Sequence, residues 1–226
     1  MSVDGMPRLV ISDWDGTVTK FLLSRLLEHQ KRAARLCGLP IAPIVRLEAY
    51  ERNGGRPYAS FDEAVAGFWP NASRMRIKAF ALAFCLEELV GAYPAVWGAA
   101  RALSALRSQG VPLALCTSRD PVTLGVHLAF AGVRPWWFEA IVTGIHRYQK
   151  PDPHVLRPIF RKVRVEPERA LFVGDTPTDW ETACRAGVPF VGVLTGLTSR
   201  EGFKKCGVPE GRIANTLPEA LHRFCG

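Results

Sequence analysis

Two carboxylates, Asp13 and Asp15, lie two residues apart in the segment Asp-Trp-Asp-Gly-Thr, which follows a short apolar run. On a turning loop, two carboxylates at this spacing can meet one reacting centre. One can attack phosphorus as a nucleophile, and the other can protonate the leaving oxygen and then activate water. Gly16 permits the tight turn that would present both side chains. Taken alone, Asp-x-Asp is also typical of a solvated turn, so this interpretation needs support from the rest of the chain.

Hydroxyl groups and a lysine follow at two later points in the sequence. Thr117 and Ser118 end the run Leu-Ala-Leu-Cys-Thr-Ser, and a hydroxyl there can hydrogen-bond a phosphoryl oxygen. Lys150, in Lys-Pro-Asp-Pro, can neutralise charge between a nucleophile and a phosphoryl group. Each has an ordinary alternative, because Thr117 and Ser118 could cap a helix or form a turn and Lys150 could be a solvated loop residue.

Two further acids, Asp175 and Asp179, lie in the segment Gly-Asp-Thr-Pro-Thr-Asp after another apolar run. Mg²⁺ prefers oxygen ligands in octahedral geometry and retains several waters in proteins. Asp13 and Asp175 could therefore bind this ion directly, with Asp179 acting through water. The alternative for Asp175 and Asp179 is that they cap the helix that follows.

Short apolar runs that read as buried strands precede these clusters and alternate with helical patterns. This alternation predicts an α/β fold with a Rossmann-like parallel sheet and helices on both faces. In such sheets ligands bind at the carboxyl ends of the strands, where all four polar clusters fall in order. Their joint occurrence there makes the ordinary alternatives for the single clusters poor. The predicted strands are Arg8–Ser12, Val111–Thr117, Ala140–Thr143, Ala170–Val173 and Pro189–Leu194, and the predicted helices are Ala95–Gln109, Pro121–Ala131, Pro153–Val163, Thr178–Ala186 and Leu217–Phe224.

The stretch from about Val18 to Tyr93 contains no convincing strand. Three segments in it have helical patterns, and Ser60 and Ser73 are suitable N-cap residues. We therefore expect a core domain of residues 1–18 and 94–226 and an inserted helical cap domain of residues 19–93. The three helical segments are Lys20–Cys37, Phe61–Trp69 and Ser73–Val90.

The four clusters in this order resemble the haloacid dehalogenase-like (HAD) hydrolase superfamily. The helical insertion between the first two clusters is similar to the cap of phosphoglycolate-phosphatase-like members. The resemblance extends from about residue 8 to residue 195 and is specific for the fold and for magnesium-dependent phosphoryl chemistry, but not for the substrate. The matching segments are 13–17 (DWDGT), the run that ends at Thr117, Lys150 with Pro151, and 174–179 (GDTPTD).

The resemblance also implies roles for individual residues and a place for the first strand in the middle of the sheet. It implies Asp13 as the nucleophile, Asp15 as the acid/base, and Thr117 as a ligand of the phosphoryl group. It implies that Lys150 orients both the nucleophile and that group. The Mg²⁺ ligands that it implies are Asp13, the backbone carbonyl of Asp15 and Asp175, with Asp179 in support through water.

Asp15 limits which of the reactions of this superfamily we expect the chain to catalyse. Carbon–halogen hydrolysis needs no acid for an alkoxide leaving group, and the dehalogenase branch lacks the second aspartate. The phosphonate hydrolase branch typically has alanine there. We therefore expect a magnesium-dependent phosphatase that hydrolyses a small phosphate monoester through an aspartyl-phosphate intermediate. A sugar phosphomutase of the same superfamily and a non-catalytic binding protein that retained the fold stay open as alternatives.

Several positions depart from the family pattern or bear on the substrate. Ser118 joins Thr117 and Lys150 in the predicted phosphate-binding set. Arg119 could reach a second anionic group, or it could be a solvated residue at the start of a helix. Trp14 could pack in the core or form a wall of the pocket.

The predicted cap contains a turn-rich segment, Asn53–Tyr58, between two helical patterns. We expect this segment to dip toward the site, with Arg56 or Tyr58 contacting the substrate. A plain surface turn is the alternative.

Composition bears on partners and location. The chain has 226 residues and a net charge of +8, but it has no run of five basic residues, which argues against nucleic-acid binding. No apolar run reaches membrane-spanning length, and Met1–Pro7 does not resemble a secretory signal. The six cysteines lack Cys-x-x-Cys pairs and indicate reduced, mostly buried thiols. We expect a cytoplasmic monomer or homodimer that acts on a small phosphorylated metabolite and has no membrane partner.

Overall fold

The computed structural model describes residues 6–41 and 67–226. The chain divides into two compact units, one formed by Met1–Phe21 with Tyr93–Gly226 and the other by Leu22–Ala92. Among the described residues, no helix combines the length and the apolar character needed to cross a bilayer. The segment with Arg56 and Tyr58 lies outside the described residues, as does most of the predicted helix Phe61–Trp69.

The first unit is built on a six-stranded parallel sheet with the strand order β3-β2-β1-β4-β5-β6. The first strand therefore lies in the middle, where Ile11 is in register with Ala114 on one side and Phe172 on the other. This confirms the predicted parallel sheet and the central place of its first strand. The strands are β1 (Leu9–Ser12), β2 (Leu113–Cys116), β3 (Phe138–Val142), β4 (Ala170–Gly174), β5 (Phe190–Val193) and β6 (Ile213–Ala214).

Both faces of the sheet are covered, which explains why the central strands are apolar at successive positions. Along β1, Val10 points into one hydrophobic cluster, while Leu9 and Ile11 point into the other. Three helices pack in the first cluster: α3 (Ala99–Ser108), α4 (Pro121–Phe130) and α8 (Leu217–Cys225). Three helices pack in the second: α5 (Arg157–Val163), α6 (Pro177–Ala186) and α7 (Arg200–Lys205).

The helices predicted for the first unit are present, but some of them begin or end at other residues. Helix α3 begins at Ala99 rather than Ala95, because its N-cap residue Gly98 has a φ of 81°, a left-handed conformation outside the helix. The segment predicted as one helix from Pro153 starts as a 3₁₀ turn, Pro153–Leu156, before α5. Helix α7 and strand β6 were not predicted, because six and two residues carry too little periodicity.

The second unit contains the helices α1 (Leu23–Leu36) and α2 (Arg74–Val90). Their shared core includes Ala33, Ile77 and Phe80, and the ring of Trp69 meets that of Phe80 edge-on at 4.8 Å. Ser73 caps α2 by accepting a hydrogen bond from the backbone N–H of Arg76, as predicted. The role of this unit as a cap stays a prediction.

Two side-chain predictions have clear outcomes. Trp14 is fully buried and packs in the first hydrophobic cluster, so it belongs to the core. The prediction of mostly buried thiols is wrong: all six cysteines are free, but only Cys116 and Cys225 are buried, while Cys184 and Cys206 are exposed.

Candidate active site

The strand order brings three functional segments to one edge of the sheet. Asp13 follows β1, Thr117 follows β2 and Asp175 follows β4, and these three strands are neighbours. The ladder continues past the strand ends, because the backbone N–H of Asp13 donates to the carbonyl of Val173 at 2.9 Å. The side chains after the strands are therefore fixed relative to one another by main-chain hydrogen bonds.

Lys150 connects two of the carboxylates. Its Nζ donates to Oδ1 of Asp13 at 2.9 Å and to Oδ1 of Asp179 at 2.5 Å. Lys150 is 9% exposed, and both partners are buried. Burial acts to lower the pKa of Lys150, but the carboxylates of Asp13 and Asp179 outweigh it and raise the pKa. The lysine is therefore held as a cation in contact with Asp13.

Asp13 and Asp175 are held in an environment that resists their ionisation. Burial, opposed by Lys150, raises the pKa of Asp13 from 3.8 to about 6. Burial and the nearby charges of Asp13 and Asp179 raise the pKa of Asp175 well above its usual value. Oxygens of Asp13, Asp175 and Asp179 lie within 4.8 Å of one another. Three buried carboxylates with a single lysine between two of them fit a divalent cation, which would offset the remaining negative charge.

Asp175 is enclosed by two glycines. A Cβ on Gly16, which has a φ of 79°, would lie 2.3 Å from Oδ2 of Asp175, and a Cβ on Gly196 would lie 1.8 Å from the same oxygen. That oxygen accepts a hydrogen bond from the backbone N–H of Leu197 at 3.0 Å. The loop Thr195–Leu197 is bonded to the segment that carries Asp13, because the hydroxyl of Thr195 donates to the carbonyl of Gly16 at 2.6 Å.

Asp179 also forms the cap of helix α6. Its carboxylate accepts from the backbone N–H of Thr176 at 3.1 Å, and its own N–H donates to the Thr176 hydroxyl at 3.2 Å, which makes a capping box. The capping interpretation for Asp179 is therefore correct. It does not compete with a role in the site, since the other carboxylate oxygen binds Lys150.

Asp15 is paired with Arg119. Nε of Arg119 donates to Oδ2 of Asp15 at 2.9 Å, and Nη2 donates to Oδ1 at 2.7 Å, a two-pronged contact. The side chain of Arg119 is 7% exposed, and that of Asp15 is 22% exposed. The interpretation of Arg119 as a solvated residue at a helix start is therefore wrong.

Thr117 and Ser118 lie at the start of the loop between β2 and α4. Thr117 is buried, and its hydroxyl accepts a hydrogen bond from the backbone N–H of Arg119 at 3.1 Å. A Cβ on Gly144 would lie 2.2 Å from the carbonyl oxygen of Ser118, so only glycine fits there. The hydroxyl proton of Thr117 keeps its donor capacity for a bound anion.

Sequence reasoning missed the loop Thr195–Leu197 and the side chains around Arg119. The guanidinium lies 5.6 Å from the ring centre of Tyr93, and its Nη1 is 3.3 Å from Nε2 of His127. The signal for the loop is its position, since Thr195 and Gly196 follow the predicted strand that is adjacent to β4. Tyr93 and His127 carry no comparable signal, because nothing local to either residue points to Arg119.

Comparisons with known proteins agree with this geometry. A family model described as haloacid dehalogenase-like hydrolase matches residues 7–187. The chain belongs to this family. It is 32% identical to a phosphoglycolate phosphatase of Rhodospirillum rubrum, over 89% of this chain and 85% of that protein, and 29% identical to one of Pseudomonas putida, over 84% and 71%. A crystal structure titled as a predicted phosphoglycolate phosphatase from Haemophilus somnus has a TM-score of 0.76 at 21% identity and covers 97% of this chain and 99% of its own.

This HAD-like hydrolase is an enzyme of the phosphatase class, which removes the non-catalytic alternative. The structure brings Asp13, Lys150, Asp175 and Asp179 together, and Asp15 and Thr117 lie on the two loops beside them. The roles of these residues stay predictions at this point. The predicted contact of Arg56 with substrate falls outside the described residues.

We predict that Gly196→Ala disrupts the HAD-like site. The new methyl group cannot coexist with the Asp175 carboxylate, and a misplacement of about 1 Å can cost on the order of 100-fold in rate. The measurement is kcat/KM for a chromogenic phosphate ester. Gly211→Ala is the matched control, because its Cβ would meet no atom within 4 Å. Full activity of Gly196→Ala would contradict the inferred close packing.

We also predict that Asp13→Asn stabilises the metal-free protein at pH 8. Because the pKa of Asp13 is raised to about 6, its contribution to stability is complete below about pH 4 and is lost as the pH rises through about 6. Removal of the charge should therefore raise the free energy of unfolding by on the order of 1–3 kcal/mol at pH 8. Denaturation in chelator at pH 8 and pH 5 tests this, and the gain should shrink at pH 5. A loss of stability at both values would mean that the contact with Lys150 dominates.

Proposed function

We propose that this phosphatase hydrolyses phosphoglycolate, or a similarly small phosphate monoester, through an aspartyl-phosphate on Asp13. The observation that carries the proposal is the buried contact between Lys150 and Asp13 beside the carboxylates of Asp175 and Asp179. A nucleophilic carboxylate adjacent to a fixed cation suits attack on an anionic phosphoryl group. The substrate class rests on the names of the two phosphoglycolate phosphatase relatives.

The reaction proceeds in two steps. In the first, an oxygen of Asp13 forms a bond to phosphorus, the ester P–O bond breaks, and Asp15, which has taken up a proton from solvent, donates it to the departing oxygen. In the second, Asp15 accepts a proton from water as that water attacks phosphorus, and the bond between phosphorus and Asp13 breaks to release phosphate. Lys150 neutralises charge on the transferred group, and the hydroxyls of Thr117 and Ser118 donate to its oxygens.

The proposed metal set is Asp13, Asp175 and the backbone carbonyl of Asp15, with Asp179 acting through water. Mg²⁺ bound there supplies positive charge to the phosphoryl oxygens. The chain's own contribution is the enclosure of Asp175 by Gly16 and Gly196, which keeps that carboxylate in one orientation before substrate arrives.

We expect hydrolysis of phosphoglycolate to require Mg²⁺ and to be abolished in Asp13→Asn, because this variant cannot form the acyl phosphate. The assay measures released phosphate in chelator, after addition of Mg²⁺, and in the variant. It includes hexose phosphates, whose isomerisation without phosphate release would point to the phosphomutase alternative. Asp152→Asn is the control, since Asp152 is a half-exposed carboxylate near Lys150 that contacts His154. Substantial turnover by Asp13→Asn would refute the nucleophile assignment.

We expect Asp15→Asn to lower kcat for phosphoglycolate by about 100-fold or more, from lost proton transfer. With p-nitrophenyl phosphate the leaving phenolate needs no proton, so the first step should survive while the second stays slow. A rapid burst of p-nitrophenolate equal to the enzyme concentration, followed by slow turnover, is the expected signature. If the burst disappears, Asp15 acts in orienting the nucleophile rather than as the acid/base.

The predictions of a cytoplasmic location, a monomer or homodimer, and no nucleic-acid partner stay as predictions from the sequence. The chain's net charge of +8 is compatible with attraction of a small anionic substrate.

A further inference from the structure

The ion pair between Arg119 and Asp15 conflicts with the role of Asp15 in the reaction. The guanidinium donates to both oxygens of the carboxylate, at 2.9 and 2.7 Å. The leaving oxygen of a substrate must approach one of these same oxygens. For Asp15 to act on the leaving group, at least one of the two contacts with Arg119 must therefore be given up.

Arg119 is held in place by more than Asp15. Its carbonyl accepts from the backbone N–H of Gly144 at 2.8 Å, and its own N–H donates to the hydroxyl of Thr117 at 3.1 Å. The guanidinium also lies against the ring of Tyr93, and its Nη1 is 3.3 Å from Nε2 of His127. With the side chain 7% exposed, movement of the guanidinium into bulk water would give up its contacts with Tyr93 and His127. An anion close to its present position can replace the two hydrogen bonds that the guanidinium makes with Asp15.

A substrate can supply that anion. The group attached to the leaving oxygen must lie beside Asp15, and hence beside Arg119. The fork of Arg119 already fits a carboxylate with two hydrogen bonds, so a carboxylate one carbon away from the ester oxygen matches both its charge and its geometry. A substrate without an anion at this point offers nothing in exchange for the bond to Asp15.

We propose that Arg119 is a specificity-determining residue that exchanges its bond with Asp15 for a bond with a carboxylate on the leaving group. The exchange frees an oxygen of Asp15 for proton transfer to the leaving oxygen only when such a substrate is bound. A ligand shifts an equilibrium between two arrangements only by the difference in its affinity for them. A carboxylate on the substrate favours the arrangement in which Arg119 has left Asp15. A neutral leaving group does not, so both oxygens of Asp15 stay bonded to Arg119. This inference rests on the proposed function, because it assigns the recognition of the substrate at the same site.

The test compares phosphoglycolate with ethyl phosphate, which has a methyl group in place of the carboxylate. The quantity measured is the ratio of kcat/KM for the two esters with Mg²⁺ present. The wild-type ratio should exceed about 10, and Arg119→Met should lower it by about 10- to 100-fold, as expected for loss of a charged hydrogen-bonded contact. Arg119→Lys keeps the charge but loses the two-pronged donor geometry, so its ratio should lie between those of the wild type and Arg119→Met. Arg134→Met is the matched control, because Arg134 is an exposed arginine stacked on Trp136.

The outcomes separate this inference from the proposed function. If Arg119→Met lowers kcat/KM equally for both esters, Arg119 only positions Asp15, and the inference would be overturned. A wild-type ratio near one would overturn it without any variant, so the test does not depend on how well Arg119→Met folds. If the wild-type protein hydrolyses neither ester with Mg²⁺, the proposed function fails first, and this inference with it.

Discussion

The buried ammonium of Lys150 between Asp13 and Asp179 is the interaction on which the site depends. Removal of one partner from a buried ion pair typically costs about 3–5 kcal/mol, because the other charge is left without compensation. Here one cation faces two carboxylates directly, and Asp175 adds a third nearby. The three carboxylates outnumber the lysine, and burial, with a smaller contribution from the charge of Asp179, raises the pKa of Asp13 to about 6. The cluster fits a bound cation, and burying its carboxylates without one costs stability.

The fold can carry this cost because the surrounding elements fix the carboxylates rigidly. Asp13 follows the central strand, and Asp175 follows the strand beside it. Asp179 belongs to the first turn of α6, where the same side chain completes a capping box with Thr176. The glycines around Asp175 leave room for one orientation of its carboxylate. Structural and proposed chemical roles thus share residues, which explains why a capping role and a metal role for Asp179 are compatible.

The sequence predicted most of the sheet and the central cluster, because both depend on local signals. Apolar runs that end in Asp13, Thr117 or Asp175 mark strands and strand ends directly. The pairing of Arg119 with Asp15 depends on two loops that lie 104 positions apart, and the side chains of Tyr93 and His127 that pack around it come from other elements. No periodicity or spacing indicates that arrangement. The roles of the site residues remain proposals, as does the cap, whose predicted substrate contact lies outside the described residues.

The two cations of the site, Lys150 and Arg119, differ in a way that suits different tasks. Lys150 binds two buried carboxylates, so no single ligand can displace it without leaving a charge unpaired, and it is therefore held as a fixed cation. Arg119 binds the carboxylate of Asp15, which is 22% exposed, and in the proposed exchange a ligand replaces that bond with an equivalent one. A fixed cation suits the phosphoryl group, which every phosphate ester shares. An exchangeable cation suits the leaving group, which differs between esters, and the proposed exchange would place this selectivity on a residue of the first unit.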